Sequence, residues 1–232
     1  MMTTLPADPL AQIAVAPVRD AMVVGLGTGR AASRGIVALG AKVREENLTI
    51  TCVATSIASE QLAREVGLTV RPMRDTPHVD YLFDGADEVD ASLRMLKGGG
   101  GAMTREKIVA HAADRRAYMI QHNKLVPRLG TRTPLPVEVM PFALAWVRES
   151  CEGRGLRGDL RHAGEGDAGG YVTDNGNAVL DLWLTEGMDV VALAAWLDEM
   201  PGVVGHGLFI AEADVVHIED ESGHIESRRR GR

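Results

Sequence analysis

The sequence contains few of the residues that mark disulfide-rich or metal-binding proteins. Only two of its 232 residues are cysteines, Cys52 and Cys151, and they form no CxxC pair. We predict that both are reduced core residues of a cytoplasmic protein, because no nearby motif would activate a catalytic thiol. The seven histidines have no HxH, HxxxH or HExxH spacing, which argues against a zinc site.

Long apolar runs and an excess of positive charge are missing as well. No window holds the 18 or more apolar residues of a membrane-spanning helix, and the stretch MMTTLPADPLAQIAVAPVRD has no signal-peptide pattern. The net charge of −7 argues against nucleic acid or an anionic membrane as the main partner. The one basic run, RRRGR at residues 228–232, is predicted to be a frayed tail rather than a binding patch.

The first half of the chain alternates short apolar strands with helical patterns, as in an α/β protein. Strands are predicted at residues 21–26, 48–55, 79–83 and 117–122, and helices at 30–43, 56–67 and 102–116. The alternation and the nearly unbroken apolar strands predict a Rossmann-like, mostly parallel sheet with helices on both faces. Ligands of such sheets bind at the carboxyl ends of the strands.

The second half predicts a smaller module. After the proline-rich stretch PRLGTRTPLPVEVMP, the predicted order is strand 137–140, helix 142–151, strands 156–162 and 178–184, helix 189–200 and strand 203–209. This β-α-β-β-α-β order is typical of a ferredoxin-like α+β module. We predict a Rossmann-like catalytic domain at 1–129, completed by 209–232, and a ferredoxin-like domain at 130–208. A last strand in ADVVHIED would return to the first sheet, and HAGEGDAGG at 162–170 is predicted to be a mobile hairpin loop.

The motif GLGTGR at residues 25–30 lies between a strand and a helix. It has neither the third glycine of the dinucleotide fingerprint nor the ending of a Walker loop. A phosphate smaller than that of a nucleotide fits it better, with Thr28 and Arg30 adding a hydroxyl and a guanidinium; a plain turn is the alternative. In TSIASEQLA, Ser56 and Ser59 are candidates for the same phosphate, although Ser56 is as well suited to cap a helix.

The motif DGADE follows the predicted strand VDYLF and places Asp84 at its carboxyl end. Asp84 and Asp87 would suit acid–base chemistry if they point into one pocket, because neighbouring carboxylates repel and one keeps its proton. The alternatives are solvated turn acids and a divalent metal site, the latter disfavoured by the positive charge of Lys97. Glu88 and Asp90 are predicted to be turn or surface acids.

The motif KGGGGAMTREK adds four consecutive glycines and an acid at the start of a helix. The glycine amides are expected to be open and to bind an anion. Glu106 is either a general base or a favourable partner of the helix dipole. Lys124 in QHNKLV follows a strand end, where it would reach an anionic ligand or stay exposed, and the Asn-Gly turn in VTDNGNAVLD is interpreted as structural.

Taken together, these motifs resemble the A type of ribose-5-phosphate isomerase. GLGTG, TSIASEQLA, DGADEVD, KGGGGAMTREK, PLPVEVMP, VTDNGN and PGVVGHGLF occur in the family's order between Val23 and Val216. The resemblance implies an aldose–ketose isomerase of the pentose phosphate pathway, without cofactor or metal. It would interconvert ribose 5-phosphate and ribulose 5-phosphate through a cis-enediol. Family members are usually homodimers or homotetramers.

The resemblance also implies a role for each motif. Glu106 would move the proton between C1 and C2, Asp84 and Asp87 would serve the sugar oxygens, and Lys97 with the glycine amides would stabilise the enediolate. The substrate-binding residues would be Thr28, Gly29, Arg30, Ala31, Gly85, Ala86, Gly98, Gly99, Gly100 and Lys124.

Two features depart from the family pattern. The loop commonly reads GTGSTA, whereas here Arg30 and Ala31 replace two hydroxyl residues, and Arg30 is expected to bind the phosphate instead. Pro17 also interrupts the apolar stretch before the first strand. A sugar-phosphate sensor is disfavoured because no basic helix-turn-helix fits before Val23. The long DGADE…REK register disfavours a sugar-phosphate deaminase or a coenzyme A transferase.

Overall fold

A computed structural model describes residues 8–164 and 170–231, which form two compact units. Within the described residues, the first unit comprises 8–85, 112–122 and 214–231, and the second comprises 86–111 and 123–213. The predicted domains placed 86–111 with the first sheet, whereas these residues belong to the second unit. The division into a catalytic and a small domain therefore stays a prediction.

The described residues form six α-helices, three short 3-10 helices and thirteen strands. The helices are α1 (Pro9–Val15), α2 (Arg30–Glu46), α3 (Ile57–Glu65), α4 (Met103–Ala112), α5 (Leu144–Gly153) and α6 (Val190–Asp198). The strands are β1 (Val23–Leu26), β2 (Thr51–Ala54), β3 (Val79–Gly85), β4 (Glu88–Val89), β5 (Met95–Leu96), β6 (Ala113–Gln121), β7 (Leu135–Val139), β8 (Arg157–Leu160), β9 (Ala178–Trp183), β10 (Val203–His206), β11 (Leu208–Phe209), β12 (Val215–Glu219) and β13 (Ile225–Arg229). In the part of the chain that is described, no helix has both the length and the apolar character needed to cross a bilayer.

The first unit is built on a six-stranded sheet in the order β13-β12-β6-β3-β1-β2. Five strands run parallel, and β13 pairs antiparallel with β12. The mostly parallel α/β sheet is thus confirmed, as is the return of ADVVHIED to it. The prediction of a frayed basic tail is wrong, because Arg228 and Arg229 lie in β13, paired with β12.

Three helices pack against this sheet and against one another in the first unit. Asp8 caps α1 by accepting the N–H of Ala11, Pro9 occupies the first turn, and the helix ends before Pro17. Ile36 and Leu39 of α2 enter the core beside Phe83. Apolar residues along one face of each helix therefore account for the packing of the helices on the sheet.

The junction of α4 and β6 differs from the sequence prediction. The predicted helix ran to residue 116, but α4 ends at Ala112 and the strand begins at Ala113. Val79 pairs with Ala113, and Leu82 pairs with Arg116. Residues 113–116 have a local pattern that favours a helix, but they are extended and pair with β3. The pairing wins because it satisfies their backbone hydrogen-bonding groups in the sheet.

The second unit contains the predicted β-α-β-β-α-β module. Its antiparallel sheet has the order β10-β7-β9-β8, with α5 and α6 packed on a core that includes Val137, Val147, Leu180 and Leu193. The predicted strand 203–209 is divided at Gly207, since β11 joins β5 and β4 in a separate three-stranded sheet. Of the predicted hairpin loop at 162–170, residues 165–169 lie outside the described residues.

Candidate active site

Asp84, the acid of DGADE in the first unit, is fully buried near the end of β3. Its Oδ1 accepts the N–H of Thr28 at 3.1 Å and the N–H of Gly85 at 2.7 Å. A Cβ atom on Gly27 would overlap the Asp84 carboxyl group, so this loop position requires glycine. The interpretation of Asp84 as a solvated turn acid is therefore wrong; the GLGTG loop is built around this carboxylate.

A cluster of hydroxyl groups surrounds the Thr28 side chain at the ends of β1 and β2. Its Oγ1 lies 2.7 Å from the Thr55 hydroxyl, 2.8 Å from that of Ser56 and 3.2 Å from that of Ser59. Ser56 also accepts the N–H of Ser59 at 3.1 Å, so its capping of α3 is confirmed. Sequence reasoning missed Thr55, although its place directly after a parallel strand is a usable signal.

The amino terminus of α2 follows this cluster in the first unit. Gly29 precedes the helix with φ of +94°, and no side chain of the described residues caps it. Arg30 is exposed at the first helical position, and a Cβ on Gly85 would come within 3.1 Å of Ala31. The uncapped amides of a 17-residue helix form a favourable place for an anion.

Lys97 and Glu106 form a buried ion pair in the second unit. Lys97 Nζ lies 3.3 Å from Glu106 Oε2, and the two side chains are only 3% and 5% exposed. Lys97 directly follows β5, and Glu106 lies in the first turn of α4. Because desolvation offsets much of the attraction between buried charges, such a pair is a poor stabiliser and points to chemistry.

The glycine loop of the second unit is folded around Asp87. Asp87 Oδ2 accepts the N–H of Gly99 at 2.8 Å, while the N–H of Gly101 bonds to the carbonyl of Gly98 at 2.9 Å. Gly98 and Gly101 have φ of +99° and +75°, which favours glycine at both positions. The expectation of four open amides is therefore wrong for Gly99 and Gly101.

Two side chains of the ferredoxin-like module hold the same loop. Arg161, paired with Asp181 at 2.6 Å, donates to the carbonyls of Gly98 at 2.9 Å and Gly99 at 3.2 Å. The hydroxyl of Tyr171 donates to the carbonyl of Gly100 at 3.1 Å. Fixing the carbonyls fixes the direction of the intervening amides. Sequence reasoning found neither side chain, because no local pattern connects them to the glycines.

The remaining acids of the DGADEVD motif, Glu88 and Asp90, have structural roles. Glu88 is 1% exposed and accepts the N–H groups of Gly130, Arg132 and Thr133, so its assignment as a turn or surface acid is wrong. Asp90 is a turn acid as predicted, although it is buried and paired with Arg94. Ala86 and Lys124 are half-buried, and Lys124 ends a short 3-10 turn.

Glu138 explains the motifs PLPVEVMP and VTDNGN. This fully buried carboxylate of β7 accepts hydrogen bonds from the hydroxyls of Thr104 and Thr173 and from the amides of Asn175 and Asn177. It thereby connects the Asn-Gly turn to the first turn of α4, which carries Glu106. The structural interpretation of this turn agrees with these contacts.

Neither the cysteines nor the histidines add a second reactive centre to these motifs. Both thiols are free and buried, as predicted, and burial raises the pKa of Cys52 to about 12 and that of Cys151 to about 11. In the described part of the chain, the one group close enough to share a metal ion is His78, Asp80 and Asp114, which lies on the surface of the first unit. None of these three belongs to the predicted site.

Comparisons with known proteins point to one enzyme family. The family model for ribose 5-phosphate isomerase A (phosphoriboisomerase A) matches residues 51–223. Ribose-5-phosphate isomerase A of Thermomicrobium roseum is 42% identical over 218 residues, covering 92% of this chain and 89% of that protein. Ribose 5-phosphate isomerase A from Methanocaldococcus jannaschii has a solved structure with a TM-score of 0.89 at 36% identity, covering 95% and 96% of the two chains.

A second solved structure contains a ligand. It is a D-ribose-5-phosphate isomerase in complex with phospho-erythronic acid, with a TM-score of 0.90 at 32% identity, covering 95% of this chain and 96% of that one. The long sequence matches and the structural likeness lead to the same family as the motifs. This chain belongs to the ribose-5-phosphate isomerase A family.

Proposed function

We propose that this isomerase interconverts D-ribose 5-phosphate and D-ribulose 5-phosphate with Glu106 as the base and Lys97 as the charge-stabilising group. The observation that carries the assignment is the buried pair itself, with 3.3 Å between ammonium and carboxylate. A carboxylate at a helix start beside a fixed cation is ionised and ready to accept a proton. The family supplies the overall reaction.

The proton transfer conserves atoms and needs no redox partner. Glu106 removes the proton from C2 of the open-chain aldose, and the C2–H electron pair forms the enediolate double bond. Charge then develops on the C1 oxygen, where the Lys97 ammonium stabilises it. The proton on Glu106 exchanges with solvent before Glu106 protonates C1, and the proton of the C2 hydroxyl passes to the C1 oxygen as C2 becomes the ketose carbonyl. A well-placed base of this kind contributes about 10²–10⁴ in rate.

The two aspartates are assigned to the sugar oxygens. Asp84 and Asp87 would carry protons during ring opening and between the O1 and O2 atoms. Their carboxylates are oriented by backbone amides: Asp84 by those of Thr28 and Gly85, and Asp87 by that of Gly99. Such fixed orientation supports a role in proton transfer, because little reorganisation is needed at the moment of reaction.

The phosphate is assigned to the GTGR loop with Lys124. Thr28 and Gly29 precede α2, Arg30 and Ala31 are its first two residues, and its uncapped start favours a dianion. The complex of a similar isomerase with phospho-erythronic acid supports the binding of a phosphorylated sugar acid by this family. The remaining assigned contacts are the backbone groups of Gly85, Ala86, Gly98, Gly99 and Gly100.

The family resemblance also suggests an oligomeric state and a cellular location. We propose a homodimer or homotetramer located in the cytoplasm. Light scattering behind a sizing column measures the mass directly, to be compared with 24.9 kDa for one chain. A single-chain mass at micromolar concentration would contradict the oligomer.

The deciding experiment is an isomerase assay in deuterated water. Purified protein should convert ribose 5-phosphate, with and without EDTA, to ribulose 5-phosphate that carries deuterium at C1. A panel of pentose and hexose phosphates tests whether other aldose phosphates react. Tight binding of ribose 5-phosphate without turnover would instead favour a sugar-phosphate sensor.

A further inference from the structure

The segment Gly205–Phe209, with the sequence GHGLF, has no task in the proposed chemistry, yet it lies against the groups that do. Within the second unit, the carbonyl of Gly207 accepts the N–H of Lys97 at 2.9 Å. A Cβ on Gly207 would overlap the carbonyl oxygen of Lys97, and one on Gly205 would overlap the hydroxyl of Thr104 in α4. The glycines therefore allow a close approach to Lys97 and to the start of α4.

Phe209 places an aromatic face beside the Lys97 ammonium. Phe209 pairs with Met95 in the short β11–β5 ladder, and its side chain is fully buried. Lys97 Nζ lies 5.5 Å from the ring centroid, inside the range of a cation–π interaction. In a desolvated setting this attraction is stronger than at a surface, because water does not compete for the cation.

Lys107, which follows Glu106 in α4, places a second cation beside the ring of Phe209. Lys107 Nζ lies 5.3 Å from the Phe209 centroid and within 3.3 Å of both ring nitrogens of His206. His206 is neutral at neutral pH, because burial and the charge of Lys107 lower its pKa to about 4. Its Nδ1 accepts the N–H of Leu208, and its Nε2 donates to Asp198. The segment thus contacts Lys97, the ion-pair partner of Glu106, and Lys107, its neighbour in the sequence.

We propose that Phe209 is a positioning residue for the isomerisation, whose ring face holds the Lys97 ammonium beside Glu106. The inference rests on the proposed role of Lys97 and adds a residue that touches no reacting atom. The ring restricts the flexible lysine stem to the one side where its charge meets both the carboxylate and the developing enediolate. Ordinary core packing would need only the volume of the ring, whereas this role needs its electrons.

Fluorinated phenylalanines separate the two roles. Phenylalanine with one, two and three fluorine atoms, incorporated at position 209, weakens the negative face of the ring while nearly preserving its shape. We expect kcat to fall stepwise, by about tenfold in total, with KM and the melting temperature nearly constant. The same series at Phe142, which is 96% exposed, is the matched control and should leave kcat unchanged.

Two readouts keep the outcomes distinct. A kcat that is flat across the series, or that falls only in step with the folded fraction, would overturn the positioning role. The ¹⁵N resonance of the Lys97 ammonium should shift with each added fluorine even if the protein proves unable to turn over ribose 5-phosphate. Absence of turnover in the unmodified protein thus contradicts the proposed function, and an unmoved Lys97 resonance contradicts the contact with Phe209.

Discussion

The two units hold their predicted site residues by different means. In the first unit, the hydroxyl of Thr28 lies among the neutral hydroxyls of Thr55, Ser56 and Ser59, and the uncapped start of α2 follows it. In the second, Lys97 and Glu106 carry opposite charges in a buried environment. Neutral donors suit an anion that stays unchanged, such as a phosphate. A buried ion pair suits a step in which charge moves, because its energy changes when one partner takes up a proton.

This contrast predicts where substitutions act on the kinetics. Changes at the ion pair of the second unit should lower kcat, because we propose that this pair stabilises the transition state. Changes in the hydroxyl cluster and helix start of the first unit should raise KM, because we propose that these groups bind the phosphate equally in the ground and transition states.

Glu106→Gln should give the largest effect. The amide keeps the size of the side chain and removes its basicity, so kcat should fall by about 10²–10⁴ with little change in KM. Steady-state kinetics and deuterium incorporation at C1 measure the loss. Glu88→Gln, at another buried glutamate of the same unit, is the control and should lose stability but keep the kcat of the folded protein. A loss confined to KM would remove Glu106 as the base.

Lys97→Gln tests whether Lys97 and Glu106 act together in the chemical step. Removing the ammonium should lower kcat about 10²-fold, the usual effect of losing one group that stabilises an oxyanion. In a Glu106→Gln background the same change should have a much smaller effect, since groups that act together are strongly non-additive. Thermal unfolding of all four proteins corrects for the buried charge left behind. Fully additive losses would show that the two side chains act separately.

The buried His206, which lies beside Lys107 of α4, predicts a pH dependence of stability. His206 has a pKa of about 4 in the folded protein against the ordinary 6.5. The unfolded chain therefore binds more protons between these values, and stability should fall as the pH drops from 6.5 to 4. The loss is of order 3 kcal/mol. Urea unfolding of His206→Gln should lack it, whereas the control His224→Gln, at an exposed position, should retain it. An unchanged loss in His206→Gln would place its origin elsewhere.

The elements that the sequence predicted well are those whose pattern is local. The apolar runs of β1, β2 and β3 and the spacing of α2 and α3 are visible in windows of a few residues. The errors are non-local. The ladder to β3 extends β6 over residues with helical propensity, and β13 forms from a basic stretch because β12 offers it an edge. The two-residue strands β4, β5 and β11 are too short for any periodic signal.

The candidate site likewise contains residues that a local pattern indicates and residues that only long-range contacts reveal. Glu106, Lys97 and the aspartates are predicted from their residue types and motifs alone, and their roles in the reaction stay predictions. Arg161 holds Gly98 from 63 positions away, and Glu138 binds Thr173 from 35. Contacts over such separations depend on the completed fold, and a single sequence contains no local pattern for them. Supporting residues are therefore the part of an active site that sequence reasoning finds last.

Thr28→Val tests the neutral cluster of the first unit. The substitution keeps the shape and removes the hydroxyl that lies within 3.2 Å of three others. Losing hydrogen bonds of about 1 kcal/mol should raise KM roughly tenfold while kcat stays close to normal. Thr51→Val in β2 is the control. A drop in kcat of the same size as the rise in KM would mean that the cluster takes part in the chemical step and would remove the contrast between the two units.

Arg30→Ala should give the smallest effect. Arg30 is exposed at the start of α2, so its guanidinium attracts the phosphate through water, and exposed charges contribute about 0.2–1 kcal/mol. KM should rise roughly threefold at low ionic strength, and the difference should vanish as the Debye length falls from about 10 Å at 0.1 M salt to about 3 Å at 1 M. Arg44→Ala, in the last turn of the same helix, should leave KM unchanged at every salt concentration. If KM is unaltered in Arg30→Ala as well, the amides of α2 and the Thr28 hydroxyl would bind the phosphate without help from Arg30.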